Sequence, residues 1–300
     1  MDSQKDIKKN QSRMALLKKM HDLFADPDIK NQRQAQENLA MLTKVPKDVI
    51  VSEVSFDGFT GEWLIPSRVH TKKKVILYCH GGGFSTGSTA YARSITLKLA
   101  QETGLDVFAF TYRLAPEHPY PAALEDGLLA WNYLMHLGYG AQDVVIAGDS
   151  AGGNLALTLS LSLKQDGRFL PGGLLLFSPW TDMTMSGKSH QTKEAIDPIL
   201  SPAYVRSMIA NYAPGEDLTN PLISPLFGDY TDFPPVYIQV GTNEILYHDA
   251  SLLYRKLLSK GVSAKLDTYN GMWHVFQMSP LKQASRAMKQ AAEFICKIFE

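Results

Sequence analysis

The stretch Val144-Val145-Ile146-Ala147-Gly148-Asp149-Ser150-Ala151-Gly152-Gly153-Asn154 decides how this chain is read. Four apolar residues make a strand pattern, a serine framed by glycines follows, and the apolar-periodic run 153–164 continues as a helix. Strand, G-x-S-x-G and helix in that order require a turn so tight that the serine takes strained backbone angles. The glycines remove Cβ atoms that would collide with the neighbouring strand and helix. Ser150 is thereby held clear of the backbone at a helix N-terminus, where negative charge is stabilised. The alternative, a glycine-rich turn without chemistry, does not need these flanks.

Working outward, the same pattern repeats. Compact apolar runs closed by turns predict strands at 75–78, 107–110, 144–147, 173–177, 236–240 and 264–269. Helical stretches fall between them at 91–102, 121–137, 153–164, 250–260 and 282–299. Short apolar strands alternating with helices predict a mostly parallel sheet covered on both faces, an α/β fold. Ahead of them, 49–56 and 60–65 alternate around Asp57-Gly58, a hairpin that opens the sheet antiparallel. Residues 1–48 read differently: Ile7, Met14, Leu17, Met20, Leu23 and Phe24 recur at helical spacing, and a second helix is expected over 29–42. The segment 181–230 carries a helix at 202–212 and no strand, the mark of a lid or structured insertion.

Composition narrows the partners. Thirty Lys and Arg balance thirty Asp and Glu, and 45% of residues are hydrophobic. Such a chain is neither disordered nor, with zero net charge, built chiefly for nucleic acid. Two cysteines cannot staple 300 residues, so Cys79 and Cys296 are expected as buried, reduced thiols. Charges recur through Lys19 and no apolar run reaches membrane length, which predicts a cytoplasmic protein without a membrane span. No H-E-x-x-H and no Cys/His cluster occurs, so neither metal nor cofactor is expected.

After the strand 75–78 comes His80-Gly81-Gly82-Gly83-Phe84. Acyl transfer places a negative charge on the former carbonyl oxygen, and preorganised backbone N–H groups can hold it only where side chains do not block the approach. A phosphate-cradling loop would instead end in G-K-[ST], which is absent. Together with Tyr112-Arg113-Leu114-Ala115-Pro116-Glu117, the serine elbow, Ser178-Pro179-Trp180-Thr181-Asp182 and Gly271-Met272-Trp273-His274, this loop stands in a specific order. From about residue 50 onward the chain resembles the hormone-sensitive lipase family of α/β-hydrolase esterases. The resemblance implies an α/β-hydrolase fold and an oxyanion hole made by the amides of Gly82, Gly83 and Ala151. It also implies that the N-terminal helices join a cap over the site.

A general base must follow nucleophile and acid in this chain order. Of eight histidines, only His274 follows the last strand and sits in a turn. His80 and His118 belong to loop motifs, His248 lies too close in sequence to the acid candidates to face them as a partner base, and His21, His70, His136 and His190 have no supporting context. Strand 236–240 runs into Gly241-Thr242-Asn243-Glu244-Ile245-Leu246, where the family commonly has Asp at the first acidic position. Glu244, 30 residues before His274, is the favoured acid; Asp249, expected inside the next helix, is the rival. Asp149 and Asn154 are expected to brace the elbow. His80 and Gly81 are expected to shape the oxyanion loop, and Arg113 with Glu117 to join a buried ion-pair network that Asp126 shares. Asp197 and Glu194 acquire no chemical role.

The resemblance implies a carboxylic ester hydrolase acting on short acyl chains through an acyl-enzyme, and the zero net charge suits small neutral esters, which gain little from long-range steering. Amide, carbamate or lactone hydrolysis by the same groups is the alternative. A non-catalytic ligand receptor on this fold is a further one, disfavoured by the presence of His274. By analogy with relatives that often pair through the edge strand near the C-terminus, the assembly expected is a homodimer. The chain then reads as one catalytic domain, 49–300, carrying a cap drawn from residues 1–48 and the 181–230 insertion.

Overall fold

The fold is seen in a computed structural model, which describes residues 12, 14–15, 17–18, 21, 28–56, 58–68 and 73–300. Ile7, Met20, Leu23, Phe24 and Asp57 of the sequence reading lie outside the described residues, whereas residues 12, 14–15, 17–18 and 21 are helical. The elements, in order, are α1 (Ile29–Ala40), β1 (Val49–Phe56), β2 (Phe59–Pro66), β3 (Val75–Cys79), α2 (Thr89–Thr103) and β4 (Asp106–Thr111). Then come α3 (Ala122–His136), β5 (Val144–Asp149), α4 (Ala151–Gln165) and β6 (Gly173–Phe177). After them stand α5 (Ser189–Thr192), α6 (Pro202–Tyr212), β7 (Val236–Gly241), α7 (Tyr247–Ser259), β8 (Ala264–Tyr269) and α8 (Lys282–Ile298).

The eight strands form one sheet in the order β1-β2-β4-β3-β5-β6-β7-β8. β1 pairs β2 and β2 pairs β4 antiparallel, and every later pairing is parallel. The α/β reading and its antiparallel start thus hold. β3, β5, β6 and β7 are buried along their whole length, because helices cover both faces and leave no side for polar residues. Alternate residues go to opposite faces. Leu77, Ile146, Leu176 and Ile238 pack with Trp131 of α3, Leu155 of α4 and Leu253 of α7. Ile76, Val145, Leu175 and Tyr237 pack with Ile95 of α2 and Met288 and Ile295 of α8. Cys79 is buried in β3; Cys296, expected to be buried, is only partly so, because it sits beside the inner stripe of α8.

The parallel strands all point one way, so the loops that follow β3, β5, β7 and β8 gather at one edge of the sheet. Segment 181–230 contains no strand and lays α5 and α6 beside that edge. Met208 of α6 stands against the glycine loop, where a Cβ on Gly83 would come within 2.8 Å of it. Among the described residues, no helix is long and apolar enough to cross a membrane.

Candidate active site

Ser150 is the hinge between β5 and α4, at φ 55° and ψ −120°. No ordinary residue takes such angles without cost. Here the turn is over-determined: Ser150 N–H donates to Phe177 O at 2.9 Å, and Ser150 O accepts from Trp180 N at 3.1 Å. Gly152 is required by contact, since a Cβ there would lie 2.0 Å from Cys79 O.

The serine hydroxyl lies 2.9 Å from His274 Nε2, and His274 Nδ1 lies 2.9 Å from Glu244 Oε2. A carboxylate can only accept, so Nδ1 carries the proton, and Nε2 accepts from Ser150. Glu244 is fully buried, and its other oxygen accepts from the Gly241 amide at 2.6 Å and the Ser178 hydroxyl at 2.9 Å. Ser178 Oγ accepts in turn from Val275 N–H at 3.2 Å, so β6, β7 and the histidine loop are tied together. Burial alone would lower the pKa of His274; the hydrogen bond and charge of Glu244 outweigh it and hold the imidazole above its ordinary value. The three side chains that the sequence reading joins therefore meet.

Asp249, the rival acid, is engaged elsewhere. Its Oδ2 accepts from the amides of Thr181 and Asp182, at 2.9 and 3.1 Å, and its Oδ1 meets His190 Nε2 at 3.1 Å. It braces the start of the 181–230 segment on α7.

The glycine loop sits beside Ser150. Gly82 adopts φ +115°, and a Cβ there would strike Thr86 O at 2.2 Å. The N–H groups of Gly82, Gly83 and Ala151 donate to no described residue. Asp149 holds the loop: its fully buried carboxylate accepts from Gly81 N–H at 3.0 Å, Tyr78 Oη at 2.7 Å and Tyr91 Oη at 3.1 Å. Burial raises its pKa against the pull of those three donors. His80 lies under the loop, stacked on Tyr112 at 4.0 Å, with Nδ1 2.8 Å from Gly81 O. Burial pushes its pKa down to about 4, so it is neutral and architectural.

The expected Arg113–Glu117 network is split in two: Arg113 does meet buried Asp126, but Glu117 belongs to a separate pair, and neither Arg113 nor Glu117 is itself buried. Arg113 binds Asp126 and Glu125, whereas Glu117 binds Arg33 of α1. The Arg113 and Glu117 side chains are 44% and 46% exposed. The cause is a partner outside the motif: Arg33 also donates to Ser85 O and Ala115 O, both at 2.8 Å, and so clamps α1 over the glycine loop.

A cavity of about 140 Å³ opens on Ser150, His274, Gly82 and Gly83. Its apolar lining comes from Trp180, Ile199, Leu200, Val205, Met208 and Leu246. His21, Gln36, Tyr91 and Tyr204 line it as well. Sequence reasoning gave no role to His21 or Gln36, nor to Asp197. The last is buried and accepts from the amides of Ile199, Leu200 and Ile245, joining the apolar lining to the loop that bears Glu244. Burial pushes its carboxyl up to about 6. The only sequence signal for it was the Asp-Pro pair in an otherwise apolar run. Among the described residues, no group of three or more His, Cys, Asp or Glu could hold a metal ion.

Comparison with known proteins adds an independent line. A family model described as the alpha/beta hydrolase fold matches residues 76–278. An acetyl-hydrolase of Streptomyces hygroscopicus is 36% identical over 264 residues, covering 87% of this chain and 86% of its own. An esterase of Acinetobacter venetianus is 35% identical and covers 87% of each chain. Among solved structures, an esterase from the bacterial hormone-sensitive lipase family superposes with a TM-score of 0.93 at 30% identity over 100% of both chains.

Proposed function

The chain belongs to the alpha/beta hydrolase fold family, as an esterase like those of the hormone-sensitive lipase family and a carboxylic ester hydrolase, and on that premise we propose that it is a serine carboxylesterase for short acyl chains. The observation that carries the serine mechanism is the hydrogen-bonded chain from Ser150 Oγ through His274 to buried Glu244. In this reading Ser150 Oγ attacks the ester carbonyl as His274 Nε2 takes its proton. The carbonyl electron pair moves to oxygen, where the amides of Gly82, Gly83 and Ala151 stabilise it. The intermediate collapses, His274 protonates the departing alcohol, and the acyl group remains on Ser150. Water, deprotonated by His274, then releases the acid and restores the serine. Asp149, by holding Gly81, keeps the donors aimed without touching substrate.

Cavity size supports the acyl preference. An apolar cavity of about 150 Å³ takes one benzene ring, six carbons. The 140 Å³ here must also leave room for the reacting atoms. The likeness to an acetyl-hydrolase agrees with a small acyl group. The same reading takes residues 1–48 and 181–230 as the cap, because His21, Gln36, Leu200 and Met208 line the cavity from those segments.

Two measurements test it. An alkyl fluorophosphonate should attach to Ser150 and to no other serine, read by mass spectrometry of the digested protein; labelling elsewhere with Ser150 unmodified sinks the serine assignment. Across p-nitrophenyl esters from acetyl to dodecanoyl, kcat/KM should peak at four carbons or fewer, and a maximum at eight or longer overturns the short-chain reading.

A further inference from the structure

α1 turns one stripe toward the rest of the protein: Ile29, Arg33, Gln36 and Ala40, spaced four, three and four residues apart. A packed helical stripe is ordinarily apolar. Here its two middle positions are polar. Arg33 is satisfied by two carbonyls and by Glu117. Gln36 is different. It lines the cavity that holds Ser150 and His274, and its Oε1 is buried without a hydrogen-bond partner among the described residues. A buried amide oxygen left unpaired is costly, and a leucine at this place would extend the stripe without that cost.

Neighbouring groups do not resolve the mismatch. The Tyr91 hydroxyl, which also lines the cavity, is committed to Asp149 at 3.1 Å. Of the other lining residues, Ile199, Leu200, Val205, Met208 and Leu246 offer no polar group, and the Trp180 indole N–H is itself buried without a hydrogen-bond partner among the described residues. A wholly aliphatic ester would fill the cavity and leave the amide unpaired in the complex. A ligand with a hydrogen-bonding group would not. No carboxylate lines the cavity among the described residues, which disfavours an ammonium group. A hydroxyl both donates and accepts, so it suits the glutamine amide in either orientation.

We infer that Gln36 reads a hydroxyl group on the substrate, so that this esterase selects hydroxylated esters over plain aliphatic ones. The inference rests on the serine-esterase reading above and names its substrate class. The hydroxyl can belong to the acyl part or to the alcohol part, and the test separates the two. kcat/KM is measured for two pairs: methyl 3-hydroxybutyrate against methyl butyrate, and glyceryl monobutyrate against propyl butyrate. In one pair the wild type should favour the hydroxylated ester by about tenfold, the worth of one good hydrogen bond. Gln36→Leu should bring that ratio close to one, whatever happens to the absolute rates. The pair that responds identifies which part of the ester meets α1. Wild-type ratios below about threefold in both pairs overturn the inference, as does a Gln36→Leu enzyme that keeps the preference. The wild-type ratio needs no variant, so a misfolded mutant cannot shield the idea. Turnover of methyl butyrate, lost or not in Ser150→Ala, tests the underlying reading separately.

Discussion

Ser150→Ala is expected to lower kcat for p-nitrophenyl butyrate by about a millionfold, the scale on which serine hydrolases lose rate when the nucleophile is removed. The loss is that large because no neighbouring group can take over. The His274 imidazole is held by Glu244 to face the serine, and without Oγ it can only activate water, which must then find the same attack geometry unaided. What remains is the donor set of Gly82, Gly83 and Ala151, still able to polarise a bound carbonyl. The fold should be unaffected. Ser150 donates its hydroxyl proton only to His274, and its backbone is fixed by Phe177 O and Trp180 N–H, bonds that alanine keeps. Thermal unfolding should therefore match wild type within a few degrees while activity disappears. A variant that retains a tenth of the wild-type rate with an unchanged melting curve would remove Ser150 from the chemistry.

The strands were legible because the sheet is parallel and covered on both faces: a short, wholly apolar run between turns has few other uses. The expected bounds of β1, β6 and β8 coincide with those observed, and the remaining strands extend by one or two residues. The elbow was legible for a steric reason, since Gly148 and Gly152 have backbone oxygens where a Cβ would be. What stayed hidden depends on contacts between distant parts of the chain. Glu117 finds Arg33 84 residues upstream, a pairing that no local pattern marks. Asp197 is an acidic residue in a segment without periodicity, and only the folded chain brings three amides to it. Gln36 falls in a mostly polar stretch, Asn31 to Asn38, of the helix expected over 29–42, where nothing in the sequence marks it out. That α1 lies over a cavity, and turns this glutamine inward, follows from the Arg33 clamp and not from hydrophobic period.

Glu244→Gln should cost about 10⁴-fold in kcat, nearly the effect of changing the equivalent carboxylate to an amide in other serine hydrolases. The geometry explains why an isosteric change is so damaging. Glu244 Oε1 is claimed by two donors, Gly241 N–H and Ser178 O–H, so in the variant the amide oxygen must occupy that side. The amide nitrogen then faces His274 Nδ1 and donates to it. The imidazole proton is driven to Nε2, pointing at Ser150, and the ring can no longer accept the serine proton. The charge that stabilised the imidazolium is lost as well. Because Glu244 does not line the cavity, KM should change little, so the loss should appear in kcat. The pH profile should move with it. His274 must be neutral to act, so wild-type activity falls as pH drops through its pKa, which Glu244 holds above the ordinary value of 6.5. With that support removed, burial lowers the pKa against only the more distant charges of Asp197 and Asp149, and the acid limb of residual activity should shift to lower pH. A Glu244→Gln enzyme with kcat within tenfold of wild type and an unmoved acid limb would take the acid role away from Glu244. Asp249 could not then inherit it without leaving Thr181, Asp182 and His190, the contacts that seat the 181–230 segment.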